Sequence, residues 1–131
     1  MKETTIQRSR RQAFERKLFV SVLRAAGNHV FEEHRFDAKR RWRFDIALYN
    51  PDPLTLGFRF EKVAIEIEGL GGRHQTIGGF TKDLEKYAEA FAQGWNVLRV
   101  SWEMIGSGKA LSVLAKAGVR VNRKEGGSPW L

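Results

Sequence analysis

Apolar and polar positions along the chain switch between a period near 3.6 and a period of 2, and the switches mark out the elements. Over residues 5–26, Phe14, Leu18 and Val22 recur every four positions, flanked by Phe19, Leu23 and Ala26. This spacing predicts a helix, with Thr4 or Thr5 able to cap it and Gly27 placed to end it. Residues 29–37 (HVFEEHRFD) predict a short strand with poor alternation. Residues 41–49 (RWRFDIALY) alternate cleanly: Trp42, Phe44, Ile46 and Leu48 form one predicted face, in the core, and Arg41, Arg43, Asp45 and Ala47 the other. Asn50-Pro51-Asp52-Pro53 is turn chemistry, so 50–60 reads as a hairpin loop. Residues 63–69 (VAIEIEG) predict a further strand. A glycine-rich loop, LGGRHQTIGG, leads into a helix over 80–93 whose buried face would carry Phe80, Leu84, Tyr87, Ala88 and Phe91, with Gly94 as its stop. Residues 95–102 (WNVLRVSW) read as a strand, 103–117 as a helix broken near Gly106 and Gly108, and 122–131 as a flexible tail.

Helix, three strands, helix, strand, helix is the order expected of one α/β domain spanning 1–121, with a mixed central sheet flanked by helices. Short turns favour antiparallel pairing of the first three strands, and the strand–helix–strand unit favours a parallel fourth. The pattern has one anomaly. In VAIEIEG, Ala64, Glu66 and Glu68 share a face opposite Val63, Ile65 and Ile67, which sets two carboxylates roughly 6 to 7 Å apart along the strand. If 41–49 pairs with 62–69, Asp45 joins them. Acids on covered strands need a cation or a raised pKa, and a hard divalent ion with oxygen ligands, magnesium being the abundant cellular one, answers that need. The other account is a solvated sheet face.

Composition narrows the chemistry. The 131 residues include no cysteine, which excludes disulfides, thiolate metal sites and cysteine nucleophiles. The start, MKETTIQRSRRQ, lacks the apolar core of a signal peptide, and no apolar run approaches a membrane span, so a cytoplasmic protein without membrane partners is expected. The net charge is +8 and uneven: residues 1–43 carry 12 Lys and Arg against 5 Asp and Glu, while 44–131 carry 11 against 10. Such a lopsided basic segment points to a polyanion, nucleic acid above all, or to a basic surface kept for solubility. Gly106-Ser107-Gly108-Lys109 lacks the Ser or Thr and the first glycine of a phosphate-binding P-loop.

Phe44-Asp45, about twenty residues, then Glu66-Ile67-Glu68 on an apolar strand resembles the PD-(D/E)XK nuclease superfamily, the restriction-endonuclease-like fold, over roughly residues 8–102. The basic first helix with Glu15 resembles the small Holliday-junction resolvases of that group. The stretch from GGRHQTIGGFTKDLEKY to GWNVLRVSWEMI is similar to phage-encoded members and to relatives of mismatch-nicking endonucleases. The resemblance implies an αβββαβ core. It also implies metal ligation by Asp45, Glu66 and the Ile67 carbonyl, with Glu68 as a further metal-holding acid and Glu15 contacting the metal or its water. The usual lysine is replaced by Glu68, as in some restriction enzymes of the superfamily. Lys62, about 13 Å from Glu66 by strand rise, is too distant to stand in. Lys82 and Lys86 on the following helix are nearer, and Lys86 is the expected substitute.

The implied activity is Mg2+-dependent DNA hydrolysis, with Mn2+ able to substitute. Arg8, Arg10, Arg11, Lys39, Arg40, Arg41 and Arg43 are the expected phosphate contacts, joined by Arg73 and His74 in the glycine-rich loop. With no separate sequence-reading module, the expected substrate is branched DNA, a four-way junction cut by a homodimer. A nickase or general endonuclease of repair or restriction type, and a non-catalytic nucleic-acid-binding domain, stand as alternatives; a structural RNA-binding protein would leave the acids unexplained.

Overall fold

The computed structural model describes residues 2–49, 61–69 and 77–121. In chain order the elements are α1 (Thr5–Ala25), β1 (His29–Arg35), β2 (Arg43–Tyr49), β3 (Lys62–Glu68), α2 (Ile77–Ala92), β4 (Asn96–Ser101), α3 (Trp102–Ser107) and α4 (Lys109–Lys116). One four-stranded sheet runs in the order β1-β2-β3-β4. The first three strands are antiparallel and β4 runs parallel to β3, reached through α2. The protein is therefore a single mixed α/β domain, as the periodicity predicts. The hairpin loop expected at 50–60, Arg73, His74 and the expected tail at 122–131 lie outside the described residues.

Each face of the sheet has its own apolar layer. On one, Phe19, Val20 and Leu23 of α1, Ile105 of α3 and Leu114 of α4 pack on Ile46, Leu48, Val63, Ile65 and Val100. On the other, Ala90 of α2 meets Ala47, Ala64, Phe44 and Trp95. Alanine on both sides leaves little side chain between helix and sheet, and the backbone of α2 comes nearest to β4.

α1 buries the flanking part of its expected apolar pattern, whereas α2 turns most of its expected face outward. α1 carries apolar residues on two sides; Phe19, Val20, Leu23 and Ala26 are buried, whereas Phe14 and Leu18 are exposed. In α2 most of the expected face is turned outward, with Phe80 57% and Phe91 82% exposed and Leu84 and Ala88 also exposed, and only Tyr87 of that face is half-buried. Its buried residues are Lys86 and Ala90. A charge explains the inversion. Glu66 points into the layer beneath α2, and leaving a carboxylate unpaired there costs several kcal/mol, so the helix turns Lys86 inward. α2 also begins earlier than expected: Ile77 to Gly79 belong to the helix rather than to the loop.

The ends follow local chemistry. Thr4 Oγ1 accepts from Gln7 N at 3.0 Å and Thr4 N donates to Gln7 Oε1 at 2.8 Å, a reciprocal cap on α1. The last helix is broken once, at Gly108 with φ +85°, while Gly106 lies within α3. A Cβ at Gly108 meets nothing within 4 Å, so Gly108→Ala should lose stability through backbone strain alone, about 1 kcal/mol. Chemical denaturation checks this.

β2 does not keep its predicted alternation. Ile46 and Leu48 face one layer and Ala47 the other, but Phe44 joins Ala47 instead of Ile46. The switch falls where β1 and β2 lose register contact: pairs run through Glu32↔Ile46, skip Glu33 and Asp45, and resume at His34↔Phe44. Glu33 takes φ +49°, a left-handed conformation uncommon for a side-chain-bearing residue. The freed Asp45 carbonyl accepts from Arg16 Nη2 at 2.9 Å, and the same guanidinium binds Glu32 and Glu33. Trp42 consequently leaves the core for the rim and is only half-buried.

His34 now lies among Phe31, Tyr49 and Trp95, with Nε2 3.0 Å from the Tyr49 hydroxyl. Burial pushes its imidazole below the ordinary value. The unfolded chain then binds the proton more readily, so this contribution to stability is lost as pH falls below about 6.5. Unfolding free energies measured from pH 7 to 5 should fall less steeply in His34→Gln.

Candidate active site

The β2–β3 ladder pairs Ala47 with Ala64 and Ile46 with Ile65. Beyond that point the carboxylates take over. Asp45 N donates to Glu66 Oε2 at 2.9 Å, and Ile67 N donates to Asp45 Oδ2 at 2.7 Å. Each acid thus satisfies a backbone donor on the opposite strand, which fixes both side chains without using all their lone pairs. The irregularity at Glu33 and Asp45 makes this possible, because a regular ladder would commit Asp45 to its neighbours.

From α2, Lys86 Nζ donates to Glu66 Oε1, and both residues are 6% exposed. The Tyr87 hydroxyl donates to the same oxygen at 3.3 Å. Burial pushes the Glu66 carboxyl above the ordinary range, opposed chiefly by the Lys86 ammonium. Burial also raises the Tyr87 phenol, and the charge of Glu66 adds to it. Glu68 accepts from Arg99 Nε at 2.6 Å, and the Arg99 guanidinium lies 5.3 Å from the Tyr87 ring centroid. Hydrogen bonding to Glu68 pushes Arg99 up.

Asp45, Glu66, Ile67, Glu68, Lys86 and Tyr87 line an open cleft of about 350 Å3 together with Glu33, Arg41, Trp42 and Arg43. Of the residues singled out in the sequence, it therefore gathers Asp45, Glu66, Ile67, Glu68, Lys86, Arg41 and Arg43. Glu15 does not line it. It pairs with Arg11 at 3.1 Å and lies against Gly106 of α3, so close that a Cβ there would stand 2.5 Å from Glu15 Oε2. Arg8 and Arg11 are engaged by Glu3, 3.6 and 2.7 Å away; Arg10 is exposed on α1, and Lys39 and Arg40 are exposed before β2. Lys62 donates to the Gln93 carbonyl at 2.6 Å, away from the acids.

Tyr87, Arg99 and Arg16 were not singled out in the sequence. Arg99 has a partial signal: with 62–69 and 95–102 as parallel neighbours it stands on a strand next to the acids, and the structure pairs it with Glu66. Tyr87 follows Lys86 on the predicted apolar face, and Arg16 has no local signal.

The donor chemistry of Asp45 and Glu66 fits a hard divalent cation: both are anionic oxygen ligands, held by backbone donors, facing a polar cleft with room for water. Among the described residues, no group of three or more His, Asp and Glu side chains that could hold a metal ion is gathered. Two carboxylates suit magnesium, which keeps several of its waters. Comparison of the chain with models of protein families, with curated proteins and with solved structures finds no match. Among the described residues no helix is long and apolar enough to cross a membrane.

Proposed function

We propose that this chain is a magnesium-dependent endodeoxyribonuclease selective for branched DNA, a four-way junction above all, and acting as a homodimer. The observation that carries the reading is the convergence of Asp45, Glu66 and Lys86 in a polar cleft rimmed by Arg41 and Arg43. Asp45, Glu66 and the Ile67 carbonyl would hold Mg2+, or Mn2+ in its place, and the ion when bound supplies Lewis-acid polarisation of the phosphate.

The chain's own residues do the rest. Backbone donors on the opposite strand hold both carboxylates in place before substrate arrives. Lys86, anchored by Glu66, brings a positive charge to the cleft wall, the charge otherwise lost where Glu68 replaces the usual lysine. Glu68 is neutralised by Arg99, which reduces its repulsion of an incoming phosphate. Arg41 and Arg43 bind phosphates beside the cleft and set the strand's register. Homodimerisation draws support from the outward stripe of Ile77, Phe80, Leu84 and Phe91 on α2. Replacing both Phe80 and Phe91 by Glu should turn dimer into monomer in sedimentation, with the domain still folded.

One observation favours a different reading. Lys86 already neutralises Glu66, as it would in a DNA-binding domain without catalysis. Purified protein incubated with labelled four-way junction, linear duplex and single strand, with and without Mg2+, separates the two. Paired metal-dependent nicks confined to the junction support the resolvase, and nicks in all duplexes the general endonuclease. Retarded but intact DNA under every metal condition supports the binding domain.

A further inference from the structure

The turn between β1 and β2 carries a series of flat groups that begins in the core and ends in solvent. Phe44, fully buried, stacks on Phe36 with centroids 4.1 Å apart and planes 3° from parallel. Phe36 also stacks on Trp42, at 6.2 Å and 19°, and the Arg40 guanidinium lies over the Trp42 ring, 4.4 Å from its centroid. Arg40 itself is exposed. Among the described residues nothing in the packing requires an arginine there, and an exposed long side chain loses rotamer freedom when it is held over a ring.

The turn is also held in shape from within. Arg35 Nε donates to the carbonyls of Asp37 and Arg40, at 3.2 and 3.1 Å, and its Nη2 to that of Ala38 at 3.4 Å. One guanidinium therefore clamps three carbonyls of the segment that presents Arg40. Trp42 stands on the wall of the same cleft as Asp45 and Glu66, between Arg41 and Arg43.

We propose that the outer face of the Arg40 guanidinium, backed by Trp42 and Phe36, is the seat of an unpaired DNA base next to the phosphate bound in the cleft. Guanidinium and aromatic planes are the surfaces on which splayed-out bases stack, whatever their sequence. Bases within a duplex already have their faces covered, so such a seat selects DNA that offers a free one, as at a branch point. The clamp by Arg35 means that little ordering remains to be done on binding. The proposal rests on the DNA-cleaving reading of the cleft and names the feature of substrate that it would favour.

The test compares two short single-stranded DNA oligonucleotides of equal length and charge, one of thymidines and one with abasic sites in the middle. Binding to the full chain is measured in EDTA, so that no cleavage intervenes. The parent should bind the base-bearing strand roughly tenfold tighter. Arg40→Lys keeps the charge and loses the plane; it should bind the abasic strand as the parent does, with the preference reduced to within about twofold. Trp42→Ala should lose the preference likewise. Arg40 is exposed, so its variant does not endanger the fold. Equal binding of both strands by the parent, or an undiminished preference in Arg40→Lys, overturns the proposal. Metal-dependent cleavage without a base preference rejects this seat alone, and a base preference without cleavage rejects the nuclease reading alone.

Discussion

Lys86→Met is expected to cut DNA at least 100-fold more slowly and to be less stable than the parent by roughly 3 to 5 kcal/mol. The size of the second effect comes from what is left behind. Glu66 and Lys86 face each other with 6% exposure, and methionine fills most of the lysine's volume while leaving the carboxylate with no counter-charge. The remaining partners of Glu66 are Asp45 N and the Tyr87 hydroxyl, two neutral donors. The loss should depend on pH. Burial already raises the Glu66 carboxyl and Lys86 is the main force opposing it, so removing Lys86 raises it further. The folded variant then holds a proton more tightly than the unfolded chain. Its deficit grows as pH rises through the interval between the ordinary glutamate value and the raised one, and shrinks as pH falls. Adding Glu66→Gln to Lys86→Met should restore much of the stability, because no charge remains buried, while cutting stays lost. Denaturation of the two single variants and the double variant at pH 5 and 8 measures both the coupling and its pH dependence. A Lys86→Met protein as stable as the parent at pH 8 would mean that the pair contributes nothing to the fold.

The order of elements was legible because periodicity and glycines suffice to place helices and strands. Which side of a helix faces inward was not. In α1 the stripe of Phe14 and Leu18 competes with that of Phe19 and Leu23, and only the sheet decides between them. In α2 the stripe of Phe80, Leu84 and Phe91 is the more apolar, yet the burial of Glu66 on another element turns Lys86 inward. The nearness of Asp45 to Glu66 could be read from two alternating strands joined by a single hairpin loop. The way they meet could not, since the break at Phe44 depends on the conformation of Glu33 and on Arg16, more than a dozen residues away in the chain. Glu15 was expected near the metal from the resemblance alone, and the packing of α1 on α3 sets it against Gly106 instead. Local rules read local geometry; the site is built where they are overridden.

Asp45→Asn should separate binding from chemistry more cleanly than any other substitution. Asp45 serves the fold by accepting from Ile67 N, and an asparagine carbonyl oxygen accepts that bond equally well, so the loss of stability should be below about 1 kcal/mol. The negative charge is what disappears. Asparagine offers a cation only a neutral oxygen, so metal affinity in the cleft should fall, and Mg2+-dependent cleavage with it, by about 10³-fold or more. DNA binding without metal should hold or tighten slightly, because an anion facing phosphate has been removed from a cleft flanked by Arg41 and Arg43. Cleavage rates on the four-way junction, titrated with Mg2+ and with Mn2+, together with binding in EDTA, give both numbers from one preparation. Cutting within tenfold of the parent rate would exclude Asp45 from holding the metal. Loss of cutting together with loss of binding would instead assign Asp45 to the shape of the cleft, a result that the retained bond to Ile67 argues against.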